Sequence, residues 1–403
     1  MKKSGFLLLC LLSFLYIANF SRITAIEAYA APNTASGGAV DVSAVSAVLI
    51  EGSTGETLFE KDKDKELVPA SITKIMTLNL IFEAIDSKKI SLDDMVTVSE
   101  YAASMGGSQV FLEPNESQTV NDMIKCISIA SANDAAVAMA EKIAGSEEAF
   151  VKQMNEKAKA LGMKHTQFKN CTGLDDNIES GHYSSAYDVA LMSRELITKH
   201  PEISNYSTVW MDKIIHKTKK GETEFGLTNT NKLVRFYDGI TGLKTGSTSK
   251  AKYCLSATAH RNDMDLIAVV MAAPDHKKRF SEAQSLLDYG FANCCIYKDS
   301  DVAGSLSDIS VLGGTKPTAA TAPGSVFSHV FTSQADTETI TKKITYREDI
   351  TAPLPKGTVV GKVEYFYENE CIGSIDITAK ETVEEASFRD YLVNAVRKLF
   401  HKL

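Results

Sequence analysis

Residues 71–85 read Ser71-Ile-Thr-Lys-Ile-Met-Thr-Leu-Asn-Leu-Ile-Phe-Glu-Ala-Ile85. Apolar side chains stand at positions 72, 75, 76, 78, 80, 81 and 82, so the segment has almost no polar face. A helix hydrophobic on most sides must be surrounded by the rest of the fold, and this one reads as a core helix. Pro69 stops any strand before it. Two reactive side chains, Ser71 and Lys74, stand one helical turn apart at its start and therefore share a face.

On the N-terminal side, Val45–Ile50, a Gly52-Ser-Thr-Gly55 turn and Thr57–Phe59 predict a β-hairpin. On the C-terminal side, residues 119–145 hold two further helices. The second, from Asp134 to Ile143, is alanine-rich and stops at Gly145, a suitable residue just past a helix end. After a mixed region come strands near 242–248, 253–259 and 266–272, the last two joined by a polar loop, His260–Asp265, and then a helix around Lys278–Tyr289. Strands at both ends with helices between them predict an α/β (α+β) sandwich, an antiparallel sheet backed by helices. These elements place the domain at residues 45–296.

From residue 297 the pattern changes to short alternating segments separated by glycine and proline, among them Val326–Phe331, Ile340–Tyr346, Val359–Phe366 and Ile372–Ile377. That predicts a small all-β domain over 297–380. Residues 381–403 read as an acidic tether, Val383-Glu-Glu385, followed by a helix. In that helix Phe388, Tyr391, Leu392, Ala395, Val396, Leu399, Phe400 and Leu403 form one stripe opposite Arg389, Arg397, Lys398 and Lys402. An aromatic stripe with a basic far side suits an interfacial membrane anchor. The competing reading is a helix docked on its own β-domain.

The first thirty residues have the layout of a secretory signal peptide. Lys2 and Lys3 precede an apolar run, Phe6 to Ala18, and Ala28-Tyr29-Ala30 is a small-x-small cleavage pattern. Residues 31–44 read as a mobile lead-in. The expected location is therefore outside the cytoplasm. A net charge of -8 gives no support to nucleic-acid binding. The six cysteines beyond the signal segment show no metal-ligand spacing, and Cys126 and Cys254 read as small buried hydrophobes.

Three short motifs carry the chemistry: Ser71-Ile-Thr-Lys74, Ser131-Ala-Asn133 and Lys244-Thr-Gly246. A serine hydroxyl needs a base to become a nucleophile. A lysine can serve only if burial or a second cation depresses its pKa. Lys74 begins a buried helix and Lys244 is a candidate second cation; the helix N-terminus also favours negative charge developing at Ser71. The spacing alone is weak, since Ser247-Thr-Ser-Lys250 also fits it. That match falls in a predicted strand, where positions three apart face opposite sides. Ser131-x-Asn133 alone would read as a helix cap, and Lys244 alone as an exposed strand residue. Their ordered conjunction points to one catalytic site. In it Ser131 bridges Lys74 and the leaving nitrogen, Asn133 binds the substrate backbone and helps place Lys74, Thr245 donates to a substrate carboxylate, and Gly246 lets the substrate approach the strand. The backbone N–H groups of Ser71 and Ser247 are the candidate oxyanion donors.

With those residues in place, the chain closely resembles the serine-type D-alanyl-D-alanine carboxypeptidases, the low-molecular-mass penicillin-binding proteins. The resemblance runs through Pro69-Ala-Ser-Ile-Thr-Lys-Ile-Met-Thr77, Ser131-Ala-Asn-Asp-Ala135, His165-Thr-Gln-Phe-Lys-Asn-Cys-Thr-Gly-Leu174, Asp238-Gly-Ile-Thr-Gly-Leu-Lys-Thr-Gly246, Arg279-Phe280 and Leu287-Asp-Tyr-Gly-Phe291. It implies a fold of β-lactamase/DD-peptidase type and removal of the terminal D-alanine from peptidoglycan stem pentapeptides through an acyl-enzyme, with no metal or cofactor. β-Lactam antibiotics would acylate the same serine, and the terminal helix would attach to the outer face of the cytoplasmic membrane. Carried over by position, Ser71 is the nucleophile, Lys74 the base, Ser131 and Asn133 the second-motif pair and Lys244 the substrate-binding lysine, with Arg279 a second partner for the terminal carboxylate. One departure is Lys252, where the family typically has glycine, which puts bulk or charge near the substrate strand.

Three other activities share parts of this pattern. A class A β-lactamase needs a glutamate in a loop between the second and third motifs, and Thr166–Gly173 has none. A DD-endopeptidase cutting cross-links differs only in loop geometry. A non-catalytic penicillin-binding scaffold would not need every motif residue, and all are present.

Overall fold

The computed structural model describes residues 40–392 apart from Asn177, Ile178, Lys220 and Gln334. The predicted signal segment, the lead-in as far as residue 39 and positions 393–403 of the terminal stripe lie outside the described residues.

A five-stranded antiparallel sheet holds the larger domain together. Its strands are β1 (Ser46–Glu51), β2 (Thr57–Lys61), β7 (Ile240–Thr248), β8 (Lys252–Arg261) and β9 (Met264–Ala273), in the order β2-β1-β9-β8-β7. The N-terminal hairpin thus enters the sheet beside the last strand, with Ser46 opposite Met271 and Glu51 opposite Leu266. Two short ribbons lie outside it: β3 (Met95–Thr97) with β4 (Ser117–Thr119), and β5 (Met211–Thr218) with β6 (Gly221–Thr228). The expected loop at His260–Asp265 is mostly strand. His260 pairs with Asp265, and only Asn262 and Asp263 turn, both with positive φ. That conformation suits a two-residue hairpin, and Asn-Asp without glycine is a weak sequence signal for it.

Among the described residues, six helices of eight or more residues occupy the rest: α1 (Lys74–Asp86), α2 (Val120–Ser128), α3 (Asn133–Ala144), α4 (Glu147–Ala160), α5 (Ala186–Lys199) and α6 (Lys278–Asn293). Ten of the thirteen residues of α1 are buried, including Lys74, Thr77 and Asn79, so polar side chains inside this helix need internal partners. Asn79 Nδ2 finds them at Ile75 O and Met192 O. The alanine-rich α3 closes at Gly145, whose φ of 83° is the left-handed end that only glycine adopts freely. Helices α4 and α5 lie in the stretch that sequence reading left mixed. Each begins at a serine, Ser146 and Ser185, whose hydroxyl accepts an N–H of the first turn. One core lies between the sheet and α1–α5; a second lies on the sheet's other face, where Leu255, Leu266 and Val270 meet Phe280, Leu286 and Leu287 of α6.

The end of the predicted lead-in is anchored rather than mobile. Val42 and Ala44 are buried, and the Glu282 carboxylate accepts from the N–H groups of Ser43 and Ala44.

The second domain is all-β. Strands β10 (Cys295–Asp299), β11 (Ile309–Ser310), β12 (Thr318–Ala319), β13 (Thr321–Pro323), β14 (Phe327–Phe331), β15 (Thr341–Tyr346), β16 (Val359–Tyr367) and β17 (Glu370–Ala379) form it, with a main sheet ordered β13-β17-β16-β15. A boundary at 296/297 falls inside β10, which pairs with β14. The core here centres on Tyr365, stacked on Phe327 at 3.8 Å, with its hydroxyl donating to Asp299. The predicted acidic tether is not loose. Val383 is buried and exchanges two backbone hydrogen bonds with Leu354, and Glu384 O and Gly313 O accept from Thr315 N and Ala386 N. Beyond it residues 388–392 are helical, with Phe388 84%, Tyr391 55% and Leu392 56% exposed.

Candidate active site

Ser71 lies in a single 3-10 turn, Ala70–Thr73, that precedes α1, and Lys74 is the first residue of the α-helix proper. The expected one-turn spacing therefore holds, but on a tighter turn. Lys74 Nζ lies 2.9 Å from Ser71 Oγ and donates to Thr172 O at 2.8 Å. With one N–H on the Thr172 carbonyl, a neutral amine keeps its lone pair for the Ser71 proton. Lys74 is fully buried, and desolvation lowers its pKa to about 7.

The carbonyl that holds Lys74 belongs to a loop that sequence reading matched to the family without giving it a role. Asn170 folds this loop on itself: its Oδ1 accepts from Thr172 N and Gly173 N, and its Nδ2 donates to Leu174 O. Gly173 has φ +85°, and a Cβ there would lie 1.8 Å from Ala70 O. Glycine is required at this point because loop and serine turn touch backbone to backbone. Beside them Thr73 Oγ1 contacts His182 Nε2 at 2.9 Å, and His182 Nδ1 accepts from Lys169 N. The ring is therefore neutral, with its proton on Nε2, and burial lowers its pKa to about 4.

Ser131 occupies the connection between α2 and α3 with a left-handed φ of 62°. Its hydroxyl, expected to bridge from Lys74, has no hydrogen-bond partner among the described residues although it is buried. Asn133 does not reach Lys74 either. Its Nδ2 donates to Gly106 O at 2.7 Å, and its buried Oδ1 has no partner among the described residues. The short loop before Phe111 thus holds Asn133, which is the reverse of Asn133 holding the lysine. The two orphaned oxygens are acceptors and a donor that an incoming peptide can satisfy.

The third motif is the inner half of β7. Lys244 is buried and, among the described residues, donates only to Thr245 O, at 3.1 Å. Desolvation pushes its pKa well down, and the charges of Lys74 and Arg279 add to that. Thr245 Oγ1 donates to Thr230 Oγ1 at 2.7 Å, a partner the sequence gave no reason to single out. Gly246 serves a contact other than the one expected. A Cβ at this residue would meet Pro69 O at 2.8 Å and Ile72 N at 3.1 Å, so the missing side chain lets the strand close on the serine turn. Ser247, next along, is exposed. Arg279, in the first turn of α6, donates Nη1 to Gly246 O at 3.1 Å and lies over Tyr253 and Phe280. Its Nε is buried and has no partner among the described residues.

The spurious Ser247…Lys250 match, expected on a strand, runs instead into the β7–β8 turn, where Lys250 donates to Asp175 O. Asp175 also accepts from Thr248 Oγ1, tying that turn to the loop behind Lys74. Lys252, the departure noted above, is exposed with φ +57°. Only glycine takes that backbone without cost, which explains the usual residue there better than substrate proximity does.

Residues 31–275 match the D-alanyl-D-alanine carboxypeptidase family and residues 292–385 match the C-terminal domain of penicillin-binding protein 5. This chain is a member of the D-alanyl-D-alanine carboxypeptidase family. It is 44% identical over 352 residues to the D-alanyl-D-alanine carboxypeptidase DacF of Bacillus subtilis, covering 87% of this chain and 88% of the relative. Penicillin-binding protein 5 of Haemophilus influenzae superposes with a TM-score of 0.73 at 31% identity over 86% of this chain and 98% of that one. Penicillin-binding protein D2 of Listeria monocytogenes, solved in an ampicillin-bound form, has a TM-score of 0.53 and 32% identity over 63% and 100%. The expected sandwich with its all-β second domain is the fold of these carboxypeptidases. The chain is accordingly a serine-type D-Ala-D-Ala carboxypeptidase. Among the described residues no carboxylate bonds Ser71 or Lys74, and the only loop partner of the lysine is the Thr172 carbonyl.

Proposed function

We propose that this carboxypeptidase removes the terminal D-alanine of peptidoglycan stem pentapeptides through an acyl-enzyme on Ser71. The observation that carries the assignment is the buried Lys74 amine, with a pKa of about 7, in hydrogen-bond reach of the Ser71 hydroxyl. Lys74 takes the Ser71 proton as Oγ attacks the penultimate carbonyl. The tetrahedral oxygen rests on the N–H groups of Ser71 and Ser247. Ser131, with its free hydroxyl, carries the proton to the departing amine, and Asn133 Oδ1 receives a substrate N–H. Lys244, Thr245 and Arg279 donate to the terminal carboxylate, Thr245 by turning its hydroxyl proton away from Thr230 Oγ1. Its charge offsets the desolvation of the two cations, so they are charged with substrate bound. Water then hydrolyses the ester.

β-Lactams acylate the same serine; the ampicillin-bound Listeria relative supports this reading. The signal-like N-terminus and the exposed Phe388, Tyr391 and Leu392 support export and attachment to the outer face of the cytoplasmic membrane. D-Alanine release from a diacyl-Lys-D-Ala-D-Ala tripeptide tests the core of the proposal. Release must vanish in Ser71→Ala, and release that survives this change overturns the nucleophile assignment. Deletion of 388–403 should free the protein from anionic liposomes with peptidase activity intact; a truncated chain that still sediments with them overturns the anchor.

A further inference from the structure

The C-terminal ends of α1 and α5 meet, and three side chains with metal-ligating atoms meet with them. Asp86 is the last residue of α1, His200 caps α5, and Glu202 lies in the 3-10 turn Pro201–Ile203 that follows. One ligating atom from each lies within 4.8 Å of the others. His200 Nδ1 and Asp86 Oδ2 are already 3.0 Å apart.

His200 is the informative member. It is 3% exposed and stacked on Phe82, with ring centroids 5.6 Å apart. Yet neither ring nitrogen makes an aligned hydrogen bond among the described residues. The Asp86 oxygen is close to Nδ1 but off the direction in which an N–H or lone pair points. A buried imidazole needs a partner on that axis. Two ligands of one cation have this relation to each other: each aims at the ion, and the second atom lies about 3 Å away to the side.

The charge balance agrees. Both helices present the negative end of their dipole here, and Asp86 adds a carboxylate where a helix C-terminus disfavours one. Glu202 adds another. Among the described residues neither carboxylate has a lysine or arginine partner. Asp86 and Glu202 are exposed and free to swing inward, while His200 is held by packing.

We propose that Asp86, His200 and Glu202 form a divalent-metal site that ties the end of the Lys74 helix to the turn after α5. One imidazole nitrogen with two carboxylates selects zinc-type cations over calcium or magnesium, which favour all-oxygen sites. Water fills the remaining position. The site is about 18 Å along α1 from Lys74, at 1.5 Å per residue, so the metal acts on stability and takes no part in the peptidase reaction. The inference does not depend on the roles assigned at Ser71.

The test uses the mature full chain stripped with a chelator and titrated with Zn2+ alone, with Co2+ as a spectroscopic probe. One equivalent of Zn2+ should bind, and at about 100-fold excess over Kd the Tm should rise by about 3–5 °C. Co2+ should shift the ring-proton resonances of His200. The double variant Asp86→Asn with Glu202→Gln changes only exposed side chains. It should keep the metal-free Tm and D-alanine release while losing the Zn2+ shift. No Zn2+ binding, an equal Zn2+ shift in the double variant, or an equal shift with Ca2+ overturns the proposal.

Discussion

The acylation rate should climb with pH along the titration of Lys74. The amine is fully buried, and desolvation brings its pKa from 10.5 to about 7 against the opposing pull of Cys171 and Asp134. In the proposed mechanism the neutral form is the base, so the rate follows the unprotonated fraction. That fraction is about 1% near pH 5, about half near pH 7 and about 90% near pH 8, a rise of about ninetyfold for a pKa of about 7. The sign is opposite to that of a catalytic acid. His182 does not imitate this limb, because its own pKa is lowered to about 4 and it stays neutral throughout. The assay is the second-order rate of acylation by a fluorescent penicillin, measured by stopped flow between about pH 5 and pH 9. Pre-incubated controls returned to pH 7 separate titration from unfolding. A rate that varies by less than about twofold over this range, or one whose midpoint lies near 4, refutes the lysine-base reasoning.

The same burial makes Lys74 a cost to the fold. The unfolded chain holds this proton up to about 10.5 and the folded one to about 7, so stability rises with pH between those values and the penalty is complete below about 7. Lys74→Met should therefore raise stability near pH 6 by about 1–3 kcal/mol, read by urea unfolding, while abolishing acylation. Gly173→Ala forces a methyl to 1.8 Å from Ala70 O at a positive φ; it should lose about 3 kcal/mol or more and bring acylation down with it. Lys252→Gly relieves a left-handed lysine on the surface and should raise stability by about 0.5–1 kcal/mol without changing acylation, as thermal and denaturant melts can show.

The core helix, the hairpin, the order of the motifs and the all-β second domain were legible because each depends on local pattern. Ile72–Phe82 is largely apolar over three turns, the strands of 240–273 are short runs bounded by turn residues, and Gly145 marks a helix end by its own conformational freedom. Helices α4 and α5 were missed because each begins in a polar region where a serine cap, Ser146 or Ser185, is the main local signal. The acidic segment around Val383 looked like a tether because its partners, Leu354 and Gly313, are remote in sequence.

By itself the sequence determined which reactive groups exist and in what order: a serine, two lysines, a serine–asparagine pair and an arginine, on elements whose type their periodicity fixes. Only the tertiary structure decided what each one touches. Lys74 is held by a carbonyl 98 residues away, Gly246 is glycine because Pro69 and Ile72 crowd it, Asn133 is held by Gly106, and Thr245 meets Thr230. Hydrogen bonds and close packing act over about 3 Å, and sequence patterns report only which face of its own element a residue occupies. The depressed pKa of Lys74 belongs to the second class, because desolvation is a property of everything packed around the amine.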